Sequence, residues 1–344
     1  MKPMGVKVRR LPGYVAIGLM IAFTALWTFW GVAEMYHEGW WGAWYNRLPY
    51  LIPGTACLLL TLAALAWPFV GGVLIVVIGI WSVWFFDFPK LLGLALALVG
   101  ALLVVECFDR RRRRQAGMGP HPRWWLRNLG YLLAVVLPVI IAIGISVYML
   151  PIVLTRVDDG DRSARRIAGN GVKLIWAPAG PGWNWRQPWG GYPSWHSLAL
   201  YGHPPVGLGD KPGYGREVGV YASGDDMAAT NLCRYLSADG LTLADAPQDM
   251  WRMPTTDEVV RSLGRHGENA GCVWQGEYRE QTECTIQPDK ESPLWATDQP
   301  VIYYWTADEY DDRRGYFVAY NGMVNATYKA GGNPRHGYRC VREP

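Results

Sequence analysis

The stretch "WRMPTTDEVVRSL", Trp251 to Leu263, decides how the second half of this 344-residue chain is read. Thr255 is a helix N-cap and Glu258 completes a capping box. A threonine hydroxyl and a glutamate carboxylate three positions apart each take one of the backbone N–H groups that a helix start leaves without a partner. Val259, Val260 and Leu263 supply the buried side of the helix, and Gly264 or Gly267 its stop. Pro254 stands before the cap, where it removes no helical hydrogen bond. These are the marks of a folded domain in water.

Working outward, the chain upstream offers a second helix over 225–239, with Met227, Ala228, Leu232, Tyr235 and Leu236 sharing one side and Gly240 ending it. Downstream come short strand candidates: "VIYYWTA" from Val301, "GYFVAYNG" from Gly315, "MVNATYK" from Met323 and "GYRCVRE" from Gly337. The step Asn321-Gly322 between two of them is a strong hairpin signal, because both residues tolerate the positive φ of a tight turn. "VKLIWAP" from Val172 adds a strand near the start. Two helices and a few strands, closed by the last strand, define an α+β domain with adjacent termini.

Four of the six cysteines, Cys233, Cys272, Cys284 and Cys340, fall in this region, which suits disulfides in an oxidising compartment. Four cysteines allow three connectivities. One of them closes a short polar loop with Cys272 and Cys284 and leaves Cys233 to join Cys340 across most of the domain. No zinc-type spacing of cysteines occurs, and no metal site is expected from them. The acidic group Asp308, Glu309, Asp311 and Asp312 is an oxygen-rich set of the kind calcium takes, but it reads first as a solvated turn paired with Arg313 and Arg314. "QPD", Gln287 to Asp289, matches a calcium and sugar tripeptide of lectins without its partner motif. No cofactor is otherwise implied.

The insert from Pro181 to Gly215 is far longer than an ordinary loop and is rich in aromatic residues. Trp183, Trp185, Trp189, Tyr192 and Trp195 offer rings and N–H donors to a glycan or a peptide. The plainer reading makes them a small core for the loop itself.

The motifs "GVKLIWAP", "AATNLCRYL", "WRMPTTDEV", "YYWTADEY", "GYFVAYNG" and "YRCVRE", in that order, resemble the bacterial DUF1566 or Lcl C-terminal domain family. The resemblance covers roughly residues 168–343. It implies a fold related to formylglycine-generating-enzyme and C-type-lectin-like modules, and a Cys233–Cys340 disulfide. Catalysis does not follow from the fold. An oxidase of the formylglycine-generating type would need Cys272 and Cys284 as reactive thiols, and a serine hydrolase would need a Gly-x-Ser-x-Gly elbow, which is missing.

The first 155 residues are a different material, although whole-chain averages of 50% hydrophobic and 18% charged residues conceal it. Tyr14 to about Met35 is long enough, at about 1.5 Å per residue, to cross a hydrocarbon core of roughly 30 Å, and it carries no cleavage site. From Pro49 to Phe86 no residue is charged, which is too long for one crossing and calls for a break near Trp67-Pro68 and Gly71-Gly72. Leu91–Phe108 and Leu129–Leu154 complete an expected five spans, with Pro138 and Pro151 in the last.

Orientation follows from the cations. Lys2, Lys7, Arg9, Arg10, Arg110 to Arg114, Arg123 and Arg127 lie on one side, with only Arg47 and Lys90 on the other before the last span. The positive-inside rule therefore places the N-terminus in the cytoplasm and the C-terminal domain outside. The five consecutive arginines read as attraction to anionic lipid rather than to nucleic acid. Between the first two spans, Trp and Tyr are expected at headgroup level, and Glu34 with His37, one helical turn apart, form a candidate polar site at the membrane edge.

The expected molecule is thus a multi-pass membrane region over 1–155, a linker over 156–167, and an extracytoplasmic domain over 168–344. Its expected role is recognition or assembly, with a glycan, peptide or protein partner and the bilayer as anchor. The alternatives are a formylglycine-generating oxidase and an accessory subunit of a larger membrane complex.

Overall fold

A computed structural model describes residues 11–85, 90–115, 124–178, 193–200 and 221–344. The chain divides into two compact units, Met1–Trp40 with Trp44–Val153, and Trp41–Ala43 with Leu154–Pro344. The change of unit at residue 154 matches the change of composition.

The first unit is helical: α1 (Leu11–His37), a 3-10 turn (Trp44–Arg47), α2 (Leu48–Ala66), α3 (Pro68–Phe85), α4 (Lys90–Gln115) and α5 (Trp124–Leu154). Among the described residues, four stretches are long and apolar enough to cross a membrane: Pro12–His37, Trp44–Ala66, Lys90–Phe108 and Asn128–Leu154. The fifth expected span differs. The chain breaks at Trp67, as Pro68 requires, but the apolar helix that follows, Pro68–Trp84, is shorter than the other four. At about 1.5 Å per residue it falls a few Å short of a typical hydrocarbon core.

Helix packing in this unit uses small residues. A Cβ added to Gly72 would stand 2.9 Å from the Gly100 carbonyl oxygen, and one added to Gly79 would stand 2.8 Å from that of Gly93. The pairing of early with late positions shows that α3 runs antiparallel along α4, backbone against backbone. Between α1 and α2 the hydroxyls of Thr24 and Thr61 meet at 2.9 Å, each also 2.8 Å from the carbonyl four residues before it. Ala16, Met20, Ala64, Ile75 and Leu103 fill the centre.

The second unit is α+β. Its strands are β1 (Arg165–Gly169), β2 (Val172–Trp176), β3 (Gly264–Arg265), β4 (Glu268–Asn269), β5 (Glu280–Gln281), β6 (Tyr303–Asp311), β7 (Arg314–Ala319), β8 (Met323–Tyr328), β9 (His336–Gly337) and β10 (Val341–Arg342). Three short helices accompany them: α6 (Trp195–Ala199), α7 (Gly224–Thr230) and α8 (Thr256–Arg261). The strands make a five-stranded sheet ordered β5-β8-β7-β6-β9, a three-stranded sheet ordered β1-β2-β10, and the small pair β3-β4. The last strand pairs with β2, so the two ends of the domain are adjacent as expected.

The capping box stands as read: the Thr255 hydroxyl accepts from Glu258 N–H, and the Glu258 carboxylate accepts from Thr255 N–H at 2.9 Å. Val259, Val260 and Leu263 are buried in a core with Leu174, Trp176, Tyr304, Val318 and Val324. The Asn321-Gly322 hairpin also forms between β7 and β8, with Gly322 at φ +86°.

Three expectations change in detail. The helix read over 225–239 stops at Thr230, because the Asn231 side-chain amide donates to the Met227 carbonyl at 2.7 Å and its own backbone turns extended. A 3-10 turn, Leu232–Tyr235, carries Cys233 instead. The last strand candidate is two short pieces, β9 and β10, divided by Tyr338 to Cys340. The stretch read as a linker, 156–167, is bonded into the domain. Ser292 N–H donates to the Val157 carbonyl, Asp158 accepts from Arg162 and Thr297, and Arg165 pairs with Asp159.

Candidate functional site

Of the three connectivities, the one that pairs Cys272 with Cys284 and leaves Cys233 for Cys340 is formed. Cys233 is bonded to Cys340, and Cys272 to Cys284. Cys57 and Cys107 are free, and both lie on helices of the first unit.

Of the aromatic residues proposed to meet a ligand, Trp183, Trp185, Trp189 and Tyr192 lie outside the described residues. Trp195 is a correction. Its indole is fully buried and donates to the Thr306 carbonyl at 2.9 Å, and its ring fills the space above Gly315, where a Cβ would come within 2.4 Å. The ring is core and is closed to a ligand. Sequence alone could not show this, because the tryptophans of the insert carry no periodicity to sort inward from outward rings.

Next to Trp195, one face of the five-stranded sheet carries a cluster of rings. Tyr303 and Trp305 on β6, Phe317 on β7 and His336 on β9 lie within 4.8–5.9 Å of one another, centroid to centroid. Alternation along β6 and direct pairing of Trp305 with Phe317 put them on the same side. The Trp305 indole donates to the Pro193 carbonyl at 2.9 Å, which roots the middle of the insert on this face.

Two buried histidines border the cluster with opposite tautomers. Asn333 Oδ1 accepts the Arg335 N–H at 2.8 Å and lies 3.0 Å from His336 Nδ1, so that nitrogen must carry the proton. His196 Nδ1 accepts the Ala222 N–H at 2.9 Å, so its proton sits on Nε2. Each Nε2 is buried without a hydrogen-bond partner among the described residues. Burial lowers the pKa of His336 to about 3, and burial with the nearby Lys329 ammonium lowers that of His196 to about 4.

The acidic residues after the Tyr-Trp strand have specific protein partners. Asp308 accepts from Thr256 N–H at the start of α8 and Glu309 from Gly224 N–H at the start of α7, each at 2.5 Å, so each strand carboxylate sits at a positive helix end. Glu309 also pairs with the buried Lys329 at 2.7 Å, and Asp311 pairs with Arg314. The first two are therefore helix caps rather than a solvated turn.

In the Gln-Pro-Asp tripeptide, Gln287 donates to the Asn321 carbonyl, and Asp289 is buried between two guanidinium groups. Arg156 reaches it at 2.8 Å and Arg265 at 2.5 Å. With both oxygens taken by arginines, this carboxylate is an anchor for the first residues of the domain. Asp289→Asn leaves the buried Arg156 short of its counter-charge, while Arg265 keeps Glu291 at 2.9 Å, and is expected to cost about 2 kcal/mol of domain stability, measured by denaturant unfolding of the full chain. An unchanged midpoint would sink this account of the anchor.

Glu34 and His37 are half-buried in the last turn of α1, one turn apart. Tyr36 stacks on Trp40 at 5.0 Å, the Arg47 guanidinium lies 3.6 Å over the Trp40 ring, and Tyr50 donates to Glu38 at 3.3 Å. The sequence reading passed over Glu106, a lone acid inside an apolar run. It is buried on α4, where a Cβ on Gly13 would stand 2.7 Å from its Cγ. Its signal was visible as a single charge in an otherwise uncharged span. Lys329 was also missed, and no local pattern marks it, since its partners lie 20 and 107 residues away.

No family model, curated protein or solved structure matches the chain. The functional reading therefore rests on the residues above.

Proposed function

We propose that this chain is a membrane-anchored recognition or assembly module that holds a disulfide-closed domain of the DUF1566, C-type-lectin-like kind outside the membrane. The domain binds a glycan, peptide or protein partner through the aromatic insert, by way of Trp183, Trp185, Trp189 and Tyr192. In this reading α3 completes a fifth crossing, supported by its antiparallel run along α4, and the positive-inside rule sets the orientation.

The observation that carries the reading is the rooting of the insert. Its described middle part, Pro193 to Leu200, is built into the fold through Trp305 and the buried Trp195. Ala222, beyond it, is held by both its N–H and its carbonyl. A segment rich in aromatic residues and anchored at Pro193 and Trp195 suits presentation of rings to a partner. The oxidase alternative draws no support from Cys272 and Cys284, which are joined as a disulfide.

The test uses the full chain in lipid nanodiscs on glycan and peptide arrays. Binding that falls at least tenfold in Trp185→Ala is expected. Silent arrays together with stoichiometric co-purification of other membrane proteins in mild detergent would transfer the conclusion to an accessory subunit.

A further inference from the structure

We infer that the entry to α7, Ala222 to Gly224, is held by an acid-sensitive latch whose proton acceptor is His196. The latch joins four parts of the domain. His196, on α6, accepts the Ala222 N–H on Nδ1 at 2.9 Å, and its own backbone N–H donates to the Lys329 carbonyl at 2.8 Å. The Lys329 ammonium, buried just past β8, donates to the Ala222 carbonyl at 2.7 Å and to Glu309 of β6 at 2.7 Å, and lies 4.7 Å from the Trp195 ring centre. Glu309 in turn accepts the Gly224 N–H. Ala222 is thus gripped at both its N–H and its carbonyl, and Gly224 at its N–H.

A neutral imidazole is essential to this arrangement. Ala222 offers a donor, so Nδ1 must keep its lone pair. When a proton from solvent adds to Nδ1, two N–H groups face each other and the Ala222 bond is lost. The new positive charge also lies near Lys329, which already carries one. The charged groups that act on the ring are Lys329, which opposes protonation, and Asp226 of α7, which favours it. Asp226 is itself engaged by the Ser223 N–H and hydroxyl. Glu309 is committed to Lys329 and Gly224. Among the described residues nothing accepts a proton from His196 Nε2.

Protonation therefore favours the open form. Burial and Lys329 hold the closed-form pKa near 4, while an open imidazole titrates near its ordinary 6.5. The open form binds more protons across that window, so opening rises as the pH falls from 6.5 and levels off below 4. Between pH 7.5 and 4.5 the opening equilibrium grows roughly seventy-fold. The latch stands whether or not the domain binds a ligand, so its failure and that of the recognition reading are separate outcomes.

Amide hydrogen exchange of the full chain in nanodiscs, corrected for the intrinsic pH dependence of exchange, tests it. The amides of residues 222–224 are expected to open roughly seventy-fold more at pH 4.5 than at 7.5, by a local opening that at each pH is easier than the global opening read at Val318 in β7. His196→Asn places an oxygen where Nδ1 accepts and has nothing to protonate, so the local response should vanish while His336→Phe keeps it. Exchange of the His196 ring C–H in the unmodified chain gives its titration without any variant, with an expected midpoint near 4. The absence of such a response at 222–224, an equal response in His196→Asn, or a His196 midpoint near 6.5 would each overturn the latch.

Discussion

Acidification from pH 7 to pH 4 is expected to remove about 3 kcal/mol from the stability of the C-terminal unit through His336 alone. The ring is packed against Tyr303, Trp305 and Phe317, and its Nδ1 proton is committed to Asn333. Burial lowers its pKa to about 3, against about 6.5 when the chain is unfolded. A lowered pKa means that the unfolded chain binds more protons between these two values. The stabilisation is complete above pH 6.5, is lost progressively as pH falls toward 3, and does not change further below that. Carboxylates complicate only the lower end. Asp158 and Asp159, held below the ordinary carboxylate range by hydrogen bonds from Arg162 and Arg165, release their contribution below about pH 4. The window from 6.5 to 4.5 therefore isolates buried histidines. His336→Phe keeps a ring in the cluster and removes the ionisation. Denaturant unfolding of the full chain, followed at the β7 amides, should lose roughly half a decade or more of its pH dependence per unit in that window. An identical slope in the variant would show that His336 does not carry it.

Local signals were legible in the sequence, and distant partners were not. The capping box at Thr255 and the Asn321-Gly322 turn each depend on residues within a few positions, so the sequence contains the whole interaction. Apolar run lengths revealed the membrane helices for the same reason. The end of α7 at Thr230 was missed because Asn231 competes for a backbone carbonyl, a choice that periodicity does not record. Trp195 looked like its neighbours in the insert until the fold placed it over Gly315. Asp289, Glu309 and Lys329 were unreadable for a further reason. Each is a charge made tolerable in the interior by a partner far away in the chain, and burial of a charge is visible only when both partners are placed. The candidate site thus divides: its aromatic composition was plain, while the residues that fix its edges come from long-range pairing.

The long disulfide should matter more than the short one, and the difference follows from chain length. Cys233 and Cys340 are 107 residues apart, whereas Cys272 and Cys284 are separated by 12. On the chain-entropy account, closing these loops in the unfolded state is worth about 5 and about 3 kcal/mol respectively. Position adds to the contrast. Both cysteines of the long bond are buried, and Cys340 directly precedes β10, while its carbonyl accepts the Ala177 N–H just after β2. Arg252, at the approach to the capping box, exchanges both backbone hydrogen bonds with Val341 and pairs with Glu343. The bond therefore ties the 3-10 turn after α7 to the strand that closes the domain on its own beginning. The double substitution Cys233→Ser with Cys340→Ser is expected to destabilise the C-terminal unit by about 5 kcal/mol, enough to leave a marginal domain largely unfolded. Cys272→Ser with Cys284→Ser, which frees only a loop of 12 residues, should leave it folded with a lower denaturation midpoint. Proteolysis of the full chain separates the outcomes: rapid cleavage within 221–344 in the first variant and slow cleavage in the second. If the order were reversed, closure of the domain would depend on the short loop, and the pairing of β10 with β2 would have to be sufficient without its covalent tie.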